Sequence, residues 1–419
     1  MGQGPAVRPR GHWLDRERLT VYPRIFLVMF GIAALVYVLT MHDLMDLLGK
    51  PAGSDFITFW AASHLALHGH GVDVYDYGLL HAAQQVAVPG VESSYAWFYP
   101  PTFLLVILPL SFLPYLASFW VFVTATMGAF LATLGRAIRR WDASWLVVAF
   151  PGLWLCLAQG QNGFLTATLA GGALLLLDRR PVPAGILIGL LVIKPHLAVL
   201  FPLVLVARRS WRAFAAAAVT ALGALGLATL VLGPDTPRAW VVSMDLARSL
   251  VEVGELPWTK MPATFAALRL LSLPVPWAYV GHAVVALIAV LALWRCWRRP
   301  GVSLGLRGAA LMVATFLVNP YGFDYDLTWL AFPLAWVALD GMKNGWGRGD
   351  REWLVAGWLL PLMLAPLAQL AHLDVGPIVL AGLLWVITRR AGVAMPWTRH
   401  ARTRGYEPPL REDAQPGAG

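Results

Sequence analysis

Apolar runs long enough to cross a lipid bilayer recur along nearly the whole chain, and they limit its possible folds more than any other feature. Of its 419 residues, 58% are hydrophobic and only 13% are charged. The runs are continuous rather than alternating, which is typical of membrane helices and not of a β-barrel. The sequence therefore predicts an all-α, polytopic integral membrane helical bundle with about 11–13 transmembrane helices. The stretch 99–134, long for one pass and short for two, leaves the exact number open.

The distribution of charge predicts how the chain is oriented. A net charge of +9 could indicate nucleic acid, but the basic residues fall in short clusters between the apolar runs and in the tails. That pattern follows the positive-inside rule, so we expect no nucleic-acid partner. We place the basic tail 1–24 in the cytoplasm and expect a membrane domain over 25–390. The loop 42–98, with six acidic residues against one lysine, is expected outside.

Two further segments complete this organisation. Residues 233–276 form a second long polar to amphipathic loop, which we also expect outside. Loops this long between membrane helices are usually functional. Residues 391–419 are basic and rich in Pro and Gly near the end, and are expected to form a disordered cytoplasmic tail. The first apolar run, Ile25–Met41, has no small-residue cleavage site after it and is expected to be an uncleaved first helix.

Several familiar chemical motifs are absent from the sequence. It contains no P-loop, dinucleotide-binding fingerprint, zinc spacing or nucleophile elbow. Its two cysteines, Cys156 and Cys296, stand in different surroundings, one in an apolar run and one in a basic cluster. We therefore expect no disulfide, no metal site and no cofactor.

Asp55 is the strongest candidate for a catalytic residue. It follows Ile25–Met41 and stands where a carboxylate would meet water and lipid head groups together. An enzyme that acts on a substrate with a lipid tail and a polar head would work at that level. Alternatively, Ser54 or Asp55 could simply cap an amphipathic helix that begins at Phe56, because Ser and Asp are preferred N-cap residues. The two interpretations are compatible.

Lys194 lies in the middle of the apolar stretch 182–207, with no carboxylate within helical reach. Ionisable side chains in such places are costly and mark functional sites by default. Its ammonium could bind a phosphate as a point charge, or it could snorkel to an interface or pair with an acid from another helix. The neighbouring His196 is a weaker candidate, since a lone histidine beside a proline is more often structural.

Two other polar segments separate apolar runs. Gln161 and Asn162 occupy a glycine-bounded turn between two short runs, which predicts a helical hairpin; their amides could bind sugar hydroxyls or simply satisfy the turn backbone. Residues 319–326 place two carboxylates and two tyrosines where one run ends and the next begins. If the basic clusters are cytoplasmic and the flanking runs cross, these segments and Lys194 share a side with Asp55.

A series of short motifs runs through residues 25–339. In order they are Gly53-Ser54-Asp55-Phe56, Gly71-Val72-Asp73-Val74-Tyr75-Asp76, Tyr99-Pro100-Pro101, Gly160-Gln161-Asn162, Ala184-Gly185 and Lys194-Pro195-His196. Their order and spacing resemble glycosyltransferase family 87. That family comprises polyprenyl-phosphate-mannose-dependent α-mannosyltransferases of the GT-C fold and their bacterial relatives.

The resemblance implies a plasma-membrane enzyme of GT-C fold that transfers mannose or another hexose from a polyprenyl-phosphate donor. The acceptor would be a glycan or glycolipid on the outer face, and transfer would proceed by single displacement with inversion. Asp55 matches the family's catalytic aspartate, and Lys194 is the candidate for the donor phosphate, with Arg238 as runner-up. Characterised mannosyltransferases carry a histidine in a later segment of the site, where this chain has Phe323-Asp324-Tyr325-Asp326 instead. The residues expected to contact substrate are Tyr99, Gln161, Asn162, Lys194, His196, Asp324, Tyr325 and Asp326.

Two other classes of protein remain alternatives. A transporter or lipid flippase would also show broken spans and buried polar groups. The sequence has no repeat between its halves, however, and two long outer loops suit an extracytoplasmic active site better. A scaffold subunit without chemistry would require neither Asp55 nor Lys194.

Overall fold

The computed structural model describes residues 12–69, 71–138 and 144–393. Over these residues the structure is helical and contains no β-strand, so the predicted all-α class is confirmed. Most of the tail predicted to be disordered, 394–419, lies outside the described residues. The helices are α1 (Arg16–Thr40), α2 (Phe56–Leu67), α3 (Tyr77–Ala87), α4 (Pro101–Ile107), α5 (Tyr115–Ile138), α6 (Ser144–Val148), α7 (Pro151–Gln159), α8 (Gly163–Leu176), α9 (Pro181–Leu190), α10 (Pro195–Ala198), α11 (Phe201–Arg208), α12 (Trp211–Leu232), α13 (Asp235–Val253), α14 (Thr264–Leu270), α15 (Val275–Arg298), α16 (Leu304–Val318), α17 (Ala331–Asn344), α18 (Asp350–Ala371) and α19 (Gly376–Arg390).

Five of the described helices, α1, α5, α12, α15 and α18, are long and apolar enough to cross a membrane by themselves. Six shorter apolar helical stretches of 10–17 residues accompany them. Helices α1 and α12 bury little of their surface against the protein, and their large side chains, such as Leu39 and Leu230, are open. Such open apolar faces suit contact with lipid. The multi-pass membrane architecture is therefore confirmed, while the number of passes stays a prediction.

Two of the predicted apolar stretches are interrupted. The stretch 99–134 divides into the short α4, which continues as a 3-10 segment, and the full-length α5. The stretch 182–207 breaks at Lys194, whose backbone leaves helical geometry with φ −148° and ψ 72°. Pro195 explains this break, because proline restricts the residue before it to extended conformations and cannot donate a hydrogen bond. The predicted hairpin is confirmed, with α7 and α8 on either side of the turn.

Helix α1 begins inside the segment 1–24 that the sequence predicts as a cytoplasmic tail, of which residues 1–11 lie outside the described part of the chain. Helix α1 begins at Arg16, and the Asp15 carboxylate accepts a hydrogen bond from the Arg18 backbone N–H at 2.8 Å. This N-cap satisfies one of the N–H groups that lack a partner at a helix start. Hydropathy alone does not reveal it, since the first turns of α1 are polar.

The basic clusters between apolar helices meet at one end of the bundle, which we call the basic end. The contacts of Arg208 with Asp178 and of Arg298 with the Ala207 carbonyl join the ends of α8, α11 and α15. Those of Arg389 and Arg390 with Asp350 join the end of α19 to the start of α18. The Arg299 guanidinium lies against Gly392, which brings the two groups together. Arg351 donates to the Leu14 carbonyl at 3.3 Å, so residues just before α1 lie at the same end. Residues as far apart in the chain as Leu14 and Arg351, which are separated by 337 positions, thus share one side, as the positive-inside pattern predicts.

The two segments predicted as outer loops are folded rather than extended over a surface. The segment 42–98 contains α2 and α3, and 233–276 contains α13 and α14. Helix α2, which the sequence predicts to be amphipathic, is instead buried on every side from Phe56 to Ser63. The expected solvent-facing side is covered because the aromatic residues of α2 pack into the core. Their neighbours are Trp97, Phe103, Tyr115, Phe119 and Phe122.

Candidate active site

Asp55 stands half-buried immediately before α2. Its backbone N–H donates to the Gln159 carbonyl at 3.1 Å, and its carboxylate accepts a hydrogen bond from the Gln161 side chain at 2.8 Å. The Ser54 hydroxyl lies 3.4 Å from the other carboxylate oxygen. The Asp55 side chain makes no capping hydrogen bond to α2. Asp55 therefore occupies the N-cap position of α2, but the capping hydrogen bond that the alternative interpretation predicts is absent, because the carboxylate is held by the α7–α8 turn instead.

Two glycines allow the backbone to approach closely at this point. Gly53 and Gly160 both have positive φ, 65° and 64°, which non-glycine residues rarely adopt. A Cβ on Gly160 would lie 2.6 Å from the Phe56 Cβ, and one on Gly53 would overlap the Phe119 ring. The glycines thus let the segment before α2 and the end of α7 pack together. This packing brings Asp55 to Gln161.

Gln161 connects three parts of the site. Its side-chain oxygen accepts hydrogen bonds from the Tyr99 hydroxyl at 3.0 Å and from the Asn162 backbone N–H at 3.1 Å, while its amide nitrogen donates to Asp55. The amide therefore satisfies the turn backbone, as one of the two interpretations predicts, and it also holds the Asp55 carboxylate. Binding of sugar hydroxyls by this residue stays a prediction. At the same turn, the Gln159 amide lies 3.5 Å from an Asp324 carboxylate oxygen.

Lys194 forms a buried ion pair with Asp326. Its Nζ donates to the two carboxylate oxygens at 2.7 and 2.8 Å and to the Asn162 side-chain oxygen at 3.3 Å. The rings of Tyr325 and Tyr99 lie 4.5 and 5.8 Å from it. Lys194 is 3% exposed and Asp326 is fully buried. Of the sequence alternatives for Lys194, pairing with an acid from another element is the one observed.

The second acidic segment forms a 3-10 turn, Asp324–Leu330, in which every residue is buried. Burial raises the pKa of the Asp324 carboxyl to about 6, with the Asp55 charge adding to this effect and the Lys260 charge opposing it. Burial also raises the pKa of the Asp55 carboxyl, against the Gln161 hydrogen bond and the charges of Lys260 and Lys194. A carboxylate with a raised pKa is a stronger base than a free one, which suits proton abstraction near neutral pH.

Together these residues form what we call the polar cluster: Asp55, Tyr99, Gln159, Gln161, Asn162, Lys194, Asp324, Tyr325 and Asp326. It lies at the α7–α8 turn, one length of α8 away from the basic end. The 14 residues of α8 span roughly 21 Å. The structure therefore gathers at one level of the bundle nearly all the side chains that the sequence predicts to contact substrate.

Three basic residues are not members of the polar cluster. His196 follows Lys194 but makes no hydrogen bond through its buried Nε2 in the part of the chain that the structure describes. Arg238 is exposed on α13. Lys260, which the sequence does not distinguish from other charges of 233–276, affects both Asp55 and Asp324 electrostatically. Its position depends on how that segment folds, so no local signal could have identified it.

A comparison with protein-family models matches the chain to glycosyltransferase family 87 over residues 97–320. That range covers more than half of the chain. The chain belongs to glycosyltransferase family 87. The family 87 match includes Tyr99, the α7–α8 turn and Lys194, and ends before the Asp324–Leu330 turn. No curated protein and no solved structure matches the chain. Membership makes this protein a membrane glycosyltransferase, a class that excludes a scaffold without chemistry.

Gln161 offers a test of how the polar cluster holds Asp55. In Gln161→Leu the Asp55 carboxylate loses its closest donor, and we expect transfer activity to fall roughly 10–100-fold, since a hydrogen bond to a charged group contributes about 1.5–3 kcal/mol. The acid limb of the pH profile should shift upward, because the lost bond favoured the ionised carboxylate. Gln85→Leu, at an exposed glutamine of α3, is the matched control. Unchanged activity and pH profile in Gln161→Leu would argue against this role.

Proposed function

We propose that this family 87 protein transfers a hexose, in the first instance mannose, from a polyprenyl-phosphate donor to a hydroxyl of a glycan or glycolipid acceptor. The reaction would take place at the outer face of the plasma membrane, with the donor tail in the bilayer. The observation that carries this proposal is the half-buried Asp55 carboxylate in a polar cluster of a protein made of membrane helices. A lipid-linked sugar has the matching form, an apolar tail with a polar reacting head.

An unsatisfied donor in the cluster supports the binding of a polar substrate. The Nδ2 of Asn162 is fully buried and has no hydrogen-bond partner among the described residues, while its Oδ1 accepts from Lys194. Buried donors without partners are rare in folded proteins because they cost free energy. A sugar hydroxyl or a phosphate oxygen would satisfy this group. Tyr99, Gln161, Asp324 and Tyr325 offer further polar atoms at the same level for orienting the two sugars.

The chemistry follows from the donor's own properties. Asp55 takes the proton of the acceptor hydroxyl while that oxygen attacks the anomeric carbon from the side opposite the phosphate. The bond between the anomeric carbon and the phosphate oxygen breaks, and its electron pair stays on the departing polyprenyl phosphate. One displacement inverts the anomeric configuration. The products are a new glycoside, protonated Asp55 and a phosphate with one more negative charge than before.

Two features favour a lipid-phosphate donor over a nucleotide sugar. The sequence lacks a phosphate-cradling loop of the nucleotide-binding kind. The polar cluster also lies at the level opposite to the basic end, and basic clusters mark the cytoplasmic side of membrane proteins. On this assignment the site opens outside the cell, away from the cytoplasmic pool of nucleotides.

The direct test is a transfer assay with the purified full-length protein in lipid vesicles. Radiolabelled polyprenyl-phosphate mannose and glucose are supplied as separate donors, with a membrane glycolipid extract as acceptor. We expect label to pass from at least one donor to the extract, and no transfer by the Asp55→Asn variant. Turnover of a nucleotide sugar in the absence of any lipid-phosphate donor would overturn the donor class. Movement of the donor across the bilayer without transfer would favour the flippase alternative.

The orientation can be tested with single introduced cysteines in intact cells. Ser93→Cys, exposed in 42–98, should react with a membrane-impermeant maleimide, whereas Lys343→Cys, exposed near the basic end, should not. The two native cysteines are buried, which keeps the background low. Both variants should label equally once the membrane is permeabilised. Protection of Ser93→Cys in intact cells would place the polar cluster on the cytoplasmic side.

A further inference from the structure

The departing phosphate needs a cation that the polar cluster itself does not offer. Lys194 is the basic member of the polar cluster, and its ammonium already donates hydrogen bonds to both carboxylate oxygens of Asp326. Withdrawing Lys194 toward a ligand would leave Asp326 buried without its partner, which is strongly unfavourable. Asp55 and Asp324 add negative charge at the same level. A phosphate that gains charge as it departs would therefore be repelled unless another cation faces it.

Lys260, in the segment between α13 and α14, is the candidate for such a cation. It ends the 3-10 turn Trp258–Lys260 between α13 and α14. The next residue, Met261, is fully buried in a small second core, and Phe323 packs against that same core. Asp324 follows Phe323 directly in the chain. The packing of Met261 and Phe323 therefore holds Lys260 close to the acidic 3-10 turn.

The turn that carries Lys260 is well anchored. The Trp258 indole N–H donates to the Val251 carbonyl at 2.6 Å, and the Arg269 guanidinium lies 4.8 Å from the Trp258 ring. The Lys260 and Met261 backbone N–H groups bond back to Pro257 and Trp258. Such anchoring positions the lysine before a ligand arrives, so little of the binding free energy goes into ordering the turn.

The Lys260 ammonium is half-buried and free of competing partners. It makes no ion pair or hydrogen bond with any residue that the structure describes. Its charge nevertheless acts on both Asp55 and Asp324, lowering the pKa of each carboxyl against the effect of burial. Lys260 thus combines an electrostatic influence on the Asp55 carboxylate with a charge that no group in the described part of the chain pairs with.

We propose that Lys260 binds the phosphate of the lipid-linked donor and stabilises the charge that develops on it, while Lys194 serves to position Asp326. This assignment rests on the proposed function and revises the expectation that Lys194 contacts the phosphate. As the bond from the anomeric carbon to the phosphate oxygen breaks, the electron pair moves onto a phosphate facing the Lys260 ammonium. The interaction strengthens as charge develops, which is the condition for accelerating the chemical step.

The experiment compares Lys260→Gln and Lys260→Arg with the wild-type protein in lipid vesicles. The probe is farnesyl phosphate, a short analogue of the leaving group, whose direct binding is measured by calorimetry alongside the transfer rate. We expect Lys260→Gln to weaken farnesyl phosphate binding roughly 10–100-fold and to lower kcat, because a charge-assisted hydrogen bond is lost. Lys260→Arg should retain most of both. Lys50→Gln, at an exposed lysine of 42–98, is the matched control and should change neither.

The outcomes separate this inference from the proposed function. If Lys260→Gln binds farnesyl phosphate and transfers sugar as well as the wild type, Lys260 is not the phosphate ligand although the function stands. If the wild type transfers from no lipid-phosphate sugar yet binds farnesyl phosphate through Lys260, the function is wrong while the phosphate site remains. Absence of farnesyl phosphate binding by the wild type overturns the inference. A loss in Arg238→Gln with none in Lys260→Gln would move the ligand to α13.

Discussion

Asp55→Asn is expected to lower the rate of sugar transfer about 10²–10⁴-fold, the usual effect of removing a general base. An amide of nearly the same shape cannot accept the proton of the acceptor hydroxyl. The substitution should cost little stability, because the Asp55 side chain makes no capping bond to α2 and its neighbours Gln161 and Ser54 can bond to an amide. Initial rates of the purified variant and wild type, measured in the same lipid, give the result.

Asp324→Asn is the matched control, because it removes a second carboxylate at the same level of the bundle. We expect a smaller loss, since Asp324 is held by Gln159 rather than by the Gln161 amide. Equal melting temperatures of the two variants in detergent would exclude misfolding. An Asp55→Asn enzyme with nearly normal turnover, beside an inactive Asp324→Asn enzyme, would transfer the role of base to the acidic 3-10 turn.

Lys194→Met is expected to lower the free energy of unfolding by about 3–5 kcal/mol, because it leaves Asp326 buried without its cation. Both side chains are almost inaccessible to solvent, so water cannot replace the lost partner. Among the single variants of the polar cluster and its surroundings, this one should have the largest effect on stability. Unfolding of the full-length protein in detergent, followed by helical circular dichroism, measures the change.

The double variant Lys194→Met with Asp326→Leu provides the comparison. Replacing both members of a buried ion pair with apolar residues of similar volume is often nearly neutral. We therefore expect the double variant to recover at least half of the stability that Lys194→Met loses. A single variant as stable as the wild type would show that the pair contributes no stability, and Lys194 would then need another explanation.

The helices were largely predictable from the sequence because their signal is local. Continuous apolar runs predict membrane helices, and the glycine-bounded turn at Gln161 predicts the α7–α8 hairpin. The position of Asp55 at a helix start could also be predicted from the sequence. The absence of a capping hydrogen bond from its side chain could not, because the carboxylate is held by Gln161, 106 positions further along the chain.

The parts that sequence did not predict share a physical cause, which is contact between distant segments. The Lys194–Asp326 pair joins residues 132 positions apart, and no helical spacing relates them. Burial of α2 on all sides depends on aromatic residues of α5, and its own pattern cannot reveal how many neighbours will cover it. Lys260 is brought toward the acidic 3-10 turn only in the folded protein, where Met261 and Phe323 belong to one core.

Lys194 and Asp326 are far apart along the chain, and this separation determines the order in which their parts of the protein can assemble in the membrane. At a synthesis rate of about 5–20 residues per second, Asp326 emerges roughly 7–26 seconds after Lys194. During that interval an ammonium buried in lipid would be costly, so Lys194 has to remain near water or lipid head groups. The helix break at Lys194, just before Pro195, allows the segment that carries Lys194 to stay at the membrane surface during this interval. Closure of the polar cluster is therefore a late event of biogenesis, coupled to insertion of the segment that follows α16.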